Sequence, residues 1–192
     1  MKSRVGIFGG SFDPVHKGHV SISESFLNSG IIDELLVLLT PAPPHKRDQN
    51  QAPYAHRLEL LKIAFGGIDY VQVSDIEQSL PKPSYTLQTI KHLRKTFPGS
   101  LFYLCLGEDS LSHFHEWYKY RQILKYVSLI VARRPDFDSS SVDPEILERT
   151  IFTDHKPMDI SSTQIRAGQI SKKVLPEKVA EYIRRHHLYT SD

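Results

Sequence analysis

The sequence predicts a doubly wound α/β fold, a parallel sheet with helices packed on both faces. Three observations predict it. Short apolar runs recur along the chain, stretches with helical spacing lie between them, and none of the runs approaches the length of a membrane span. Strands buried on both faces read as continuous apolar runs, and strands that alternate with helices build parallel sheets through crossover connections.

The strand runs are Val5 to Phe8, Leu35 to Leu39, Tyr70 to Val73, Leu101 to Leu106 and Val127 to Ala132. Helical spacing occupies Val20 to Leu27, Arg57 to Phe65, Leu87 to Phe97 and Tyr118 to Tyr126. Two segments break the alternation. Thr40 to Pro53 carries four prolines and reads as a long loop leaving the carboxyl end of a strand, where open α/β sheets bind ligands. Arg134 to Glu148, with Pro135, Asp136, Asp138 and three consecutive serines, reads as a surface loop before the chain re-enters structure at Ile151. Ile160 to Leu188 reads as two short helices. The first is opened by Ser161 and Ser162; the second is entered at Pro176 and carries Val179, Ile183 and Leu188 on its inner side.

The chain has 192 residues, which at roughly 150 per domain predicts a single domain, 1–192, with a helical part at about 155–188. Hydrophobic residues at 40% and charged residues at 24% exclude disordered, collagenous and disulfide-stapled classes. Lys and Arg number 24 against 22 Asp and Glu, with no block of like charge, so neither nucleic acid nor a membrane surface is an expected partner. Cys105 is the only cysteine beside ten histidines, which excludes an intrachain disulfide and predicts a cytoplasmic setting. The stretch before Gly9 is too short for a signal-peptide core. Oligomeric state is left open, a homo-oligomer included.

The strongest chemical signal is Gly9-Gly10-Ser11-Phe12-Asp13-Pro14-Val15-His16-Lys17-Gly18-His19, directly after the first strand and leading into the first helix. Adjacent glycines let a backbone approach a phosphate, and a helix N-terminus offers amide donors and a positive dipole end. His16 and His19, three apart at a helix start, share a face, so an anion bound there meets two imidazoles. Neither has a third ligand at a spacing that suits zinc. Far along the chain, Ile160-Ser161-Ser162-Thr163-Gln164-Ile165-Arg166 supplies hydroxyl and backbone donors at a helix start, with a guanidinium one turn on.

Together these elements resemble the nucleotidyltransferase superfamily that carries the His-x-Gly-His motif. That resemblance implies a Rossmann-like, nucleotidyltransferase-type sheet whose C-terminal helices complete the site. It also implies transfer of a nucleotidyl group from a nucleoside triphosphate to a phosphate, with release of pyrophosphate. ATP would be held by Gly9, Gly10, Ser11, Phe12, Gly18, His19, Gly107, Asp109, Ser161, Ser162, Thr163 and Arg166.

Five further stretches narrow the likeness. In order they are Pro43-Pro44-His45-Lys46, Pro83-Ser84-Tyr85-Thr86, Gly107-Glu108-Asp109-Ser110-Leu111, Phe114-His115-Glu116-Trp117-Tyr118 and Arg133-Arg134-Pro135. This set looks like the bacterial nicotinate-nucleotide adenylyltransferases from Lys2 to about Leu188, except in the loop after Pro135. The implied substrates are ATP and nicotinate mononucleotide, the implied products nicotinate adenine dinucleotide and pyrophosphate, and the implied setting NAD biosynthesis. The mononucleotide would meet His45, Lys46, Ser84, Tyr85, Thr86, Asp109, Trp117 and Arg134. In that likeness the Tyr85 and Thr86 amides take the carboxylate, Trp117 stacks on the pyridine and Asp109 accepts from ribose hydroxyls. His16, His19, Lys46 and Arg166 would carry catalysis by stabilising charge. Mg²⁺ would arrive with the triphosphate, because the sequence has no dedicated carboxylate cage. The alternatives are an adenylyltransferase acting on nicotinamide mononucleotide or phosphopantetheine, and a regulatory module that holds ATP without turning it over.

Overall fold

Six strands form one parallel sheet in the order β3-β2-β1-β4-β5-β6 in a computed structural model that describes residues 2–41, 51–133, 138–168 and 172–189. The strands are β1 (Arg4–Gly10), β2 (Glu34–Leu39), β3 (Val71–Ser74), β4 (Leu101–Gly107), β5 (Ser128–Arg133) and β6 (Thr150–Asp154). The helices among the described residues are α1 (Lys17–Asn28), α2 (Tyr54–Phe65), α3 (Thr86–Thr96), α4 (Glu108–Ser112), α5 (Tyr120–Tyr126), α6 (Pro144–Leu147), α7 (Ser162–Arg166) and α8 (Glu177–Arg185).

The continuous apolar runs of β1, β2, β4 and β5 are strands because each feeds both faces of the sheet, whereas β3 is a partly buried edge strand. Val5 and Ile7 of β1, Leu104 and Leu106 of β4, and Leu129 and Val131 of β5 point into one core with Leu87, Ile90 and Leu93 of α3 and Ile123 of α5. Phe8, Leu35, Val37, Cys105 and Ile130 point the other way, to Phe26 of α1, Leu60 and Leu61 of α2, Ile165 of α7 and Val179 and Ile183 of α8. This period-two division of an unbroken apolar sequence is the doubly wound arrangement.

One expectation needs correction. The described part of the expected Arg134 to Glu148 loop, 138–148, is more than a loop: α6 lies within it, capped by the Asp143 carboxylate, which accepts the Glu145 N–H at 3.0 Å, and it buries Val142 and Ile146. The re-entry near Ile151 is a sixth strand, half-exposed at the sheet edge, so it carries no continuous apolar run. A short 3₁₀ turn, Lys172–Val174, also precedes α8.

The strand order reverses at β1, which pairs with β2 on one side and β4 on the other. Crossovers therefore leave in opposite directions and open a crevice beyond the carboxyl ends of β1 and β4. Gly9, Gly10 and Gly107 stand at that crevice.

Candidate active site

The loop from Ser11 to His16 joins β1 to α1 at the crevice. His16 is the N-cap of α1, in extended backbone, with only 6% of its surface exposed. Its N–H donates to Nδ1 of His19 at 3.2 Å, and the two rings lie 3.7 Å apart at 31°. With Nδ1 of His19 accepting, its neutral tautomer carries the proton on Nε2. Gly18 leaves room for this pairing, since a Cβ there would stand 3.1 Å from His16 Nδ1, a tight contact. Burial lowers the His16 pKa to about 4, so the imidazole is neutral at pH 7, and its Nδ1 has no hydrogen-bond partner among the described residues. A buried unpaired nitrogen is costly, and a phosphate oxygen would satisfy it.

Beyond the glycines a cavity of about 510 Å³ opens, bounded by Gly9, Gly10 and Ser11 on one side and Gly107 on another. Ser84, Tyr85, Thr86 and Trp117 line its far end. At Gly9 a Cβ would meet nothing within 4 Å, so this backbone faces open space. Tyr85 is the N-cap of α3 and makes no side-chain cap, which leaves the first-turn amides of an eleven-residue helix for an outside acceptor. Trp117 is half-buried against Phe114, ring centroids 5.2 Å apart, while the Tyr85 and Tyr118 rings lie 4.4 Å apart beside it. The same cavity reaches Glu77, a buried carboxyl whose pKa is raised by burial and whose Oε1 accepts from the Thr89 hydroxyl at 2.7 Å.

The Ser-Ser-Thr helix α7 meets the β1–α1 loop directly. Ser161 Oγ accepts the Gln164 N–H at 3.1 Å, capping α7, and Ser162 Oγ donates to the Pro14 carbonyl at 2.9 Å. Arg166 Nη1 donates to the Asp13 carbonyl at 2.6 Å and stands 3.7 Å from Asp13 Oδ2. The serine hydroxyls are thus turned to protein atoms, leaving the Ser162 and Thr163 amides and the partly buried Arg166 to face an anion.

Not every expected residue shares the cavity. Phe12 and His16 on the loop, Gly18 and His19 at the start of α1, and the α7 residues do not line it, and Asp109 is exposed in the first turn of α4. His45, Lys46 and Arg134 lie outside the described residues. Sequence reasoning singled out neither Asp13 nor Arg57, which are 2% and 3% exposed. Arg57 donates to the carbonyls of Ser11 at 2.8 Å, Thr40 at 3.3 Å and Ala52 at 3.0 Å, stitching the ends of β1 and β2 together. A charged residue inside an otherwise apolar helical stripe was the available signal.

Residues 7–168 match the model of the cytidylyltransferase-like family. The chain is 31% identical over 192 residues to the nicotinate-nucleotide adenylyltransferase of Bacillus subtilis, covering 98% of this chain and 99% of that one. It is 39% identical over 187 residues to a probable nicotinate-nucleotide adenylyltransferase of Thermotoga maritima, covering 95% and 90%. The chain belongs to the cytidylyltransferase-like family, among its nicotinate-nucleotide adenylyltransferases.

The fold of this adenylyltransferase family is seen in solved structures too. The nicotinic acid mononucleotide adenylyltransferase of Plasmodium falciparum complexed with NaAD superposes with a TM-score of 0.79 at 21% identity, over 97% of each chain. The same enzyme complexed with APC gives 0.77 at 20% identity, again over 97% of each chain. In the family member described here, no helix among the described residues is long and apolar enough to cross a membrane.

Proposed function

We propose that this chain transfers the adenylyl group of ATP to nicotinate mononucleotide, giving nicotinate adenine dinucleotide and pyrophosphate in NAD biosynthesis. One observation carries the reading: a single cavity joins the Gly9-Gly10-Ser11 turn to the uncapped N-terminus of α3 and to Trp117. The turn suits a phosphate, the α3 amides suit a carboxylate, and the indole suits a flat aromatic ring. A carboxylate is what distinguishes the acid mononucleotide from its amide. The pyridinium nitrogen adds a cation-π component to stacking on Trp117.

In this reading the phosphate of the mononucleotide attacks the α-phosphorus of ATP, and the bond to the β,γ-diphosphate breaks in line. The attacking group is already an anion at pH 7, so no proton need be removed. Catalysis reduces to alignment and to stabilising charge on the transferring group. His16 and His19 donate to phosphate oxygens as imidazoles, the α7 amides and Arg166 hold the outer phosphates, and Lys46 adds a further cation. Ribose hydroxyls fall to Asp109, and Arg134 attends the nucleotide. Among the described residues no cluster of three or more His, Cys, Asp or Glu could hold a metal ion. Mg²⁺ would arrive with the triphosphate and neutralise part of its charge. The whole chain acts as one domain in the cytoplasm, a setting supported by its single, buried cysteine.

The deciding experiment measures pyrophosphate release with ATP and Mg²⁺, in parallel with the acid mononucleotide, the amide mononucleotide and phosphopantetheine. Release with the acid alone, or many-fold faster with it, is expected. Preference for either of the others overturns the substrate, and release with none overturns the enzyme in favour of an ATP-holding module.

A further inference from the structure

Asp13 sits at the centre of the loop that sets His16, yet it does not line the cavity. Its carboxylate is almost wholly buried and is satisfied from three distant parts of the chain. Oδ1 accepts the Tyr189 hydroxyl at 2.7 Å and the Ala52 N–H at 3.1 Å, while Oδ2 faces the Arg166 guanidinium at 3.7 Å. The bond from Tyr189 spans 176 residues of sequence. Tyr189 follows α8 in a left-handed backbone conformation, φ 55°, and packs with Leu188 against the core that α1, α2 and α8 share. Burial and the neighbouring carboxylate raise its pKa, so it remains a protonated donor at neutral pH.

We infer that Tyr189 is a positioning residue for adenylyl transfer, its hydroxyl holding the Asp13 carboxylate so that the loop places His16 and Arg166 keeps its guanidinium available to phosphate. The inference rests on the adenylyltransferase reading of the site. Two guanidiniums, Arg57 and Arg166, converge on Ser11 to Pro14, and Asp13 is the carboxylate between them. A hydroxyl donating to a carboxylate makes a charge-assisted bond, and here it divides the carboxylate's demand between Tyr189 and Arg166. Without that hydroxyl, Oδ1 keeps only the Ala52 amide among the described contacts. The carboxylate then satisfies itself by closing on Arg166 and draws the guanidinium away from the ligand side. Loss of the bond therefore acts on the transition state and spares the pyridine pocket, which Tyr189 does not touch.

The test is Tyr189→Phe, which removes one oxygen and keeps the ring, assayed beside wild type by pyrophosphate release. The expected result is a kcat reduced roughly tenfold with the KM for the acid mononucleotide within about twofold, at a temperature where circular dichroism shows the variant folded. Asp13→Asn tests the route, and in its background Tyr189→Phe should cost little more. If Tyr189→Phe melts below the assay temperature, Asp13→Asn alone must show the same split between kcat and KM. A wild-type kcat in folded Tyr189→Phe, or full additivity of the two substitutions, overturns the inference. Absence of turnover in wild type would instead overturn the parent reading, so the two failures are distinguishable.

Discussion

His16 and His19 do different work although they stand three residues apart. His16 ends the loop: it stands at the N-cap position of α1, is buried, and is kept neutral by loss of solvent, with Nδ1 unpaired among the described residues. His19 lies in the first turn of α1, where its Nδ1 braces the His16 backbone and its Nε2 carries the donor proton. Gly18 is the space between them, and any side chain there presses on the His16 ring. Replacing His19 by Ala removes both the brace and the donor. Turnover should fall by a factor on the order of 10² to 10³, the usual cost of deleting a donor to developing charge, with little change in melting temperature. A folded His19→Ala chain with near-normal turnover would remove His19 from the catalytic set.

At the scale of elements, the pyridine end of the cavity is made by the start of α3 and the turn that carries Trp117. The α3 terminus stays uncapped, and the Glu77–Thr89 bond, between a 3₁₀ turn after β3 and the first turns of α3, holds that terminus against the sheet. Trp117 is supported from behind by the fully buried Phe114. Such an indole can offer one face without itself moving. Truncation to Ala should raise KM for the pyridine mononucleotide several-fold to about tenfold, the worth of an aromatic contact, with a smaller effect on KM for ATP. An unchanged KM for the mononucleotide would take Trp117 out of the site.

For the whole molecule, the β1–α1 loop is where distant segments meet. Arg57 from α2, Ser162 and Arg166 from α7, and Tyr189 after α8 all bond to residues 11 to 14. The buried His16 at the end of this loop links its integrity to pH. With a folded pKa of about 4 against an ordinary 6.5, the unfolded chain binds more protons between those values. The stability from this group is therefore complete above about pH 6.5 and is lost as pH falls toward 4, to an extent on the order of 3 kcal/mol. Urea midpoints measured from pH 7 to 4 should fall in wild type and fall less steeply in His16→Gln. Equal slopes would show that His16 is not held neutral by burial.

Strands β1, β2, β4 and β5 were legible in the sequence because burial on both faces leaves an unbroken apolar run, the edge strand β3 by its β-branched Val71 and Val73 alone, and the loop motif because its residues are contiguous. The half-exposed edge strand β6 left no such run, so its sequence showed only a return to structure at Ile151, and the one-turn α6 read as loop. Asp13, Arg57 and Tyr189 were illegible as a group for a different reason. Their bonds close over separations of 46 residues for Arg57 to Ser11 and 176 for Tyr189 to Asp13, and no local spacing encodes such a contact. The layered sheet and the phosphate-facing motif follow from local sequence, since hydrophobic period and helix-terminus chemistry are properties of neighbouring residues. Only the tertiary structure decided which buried charges hold that motif in place, because a buried ion is stable only beside its partners, and the fold alone brings those partners together.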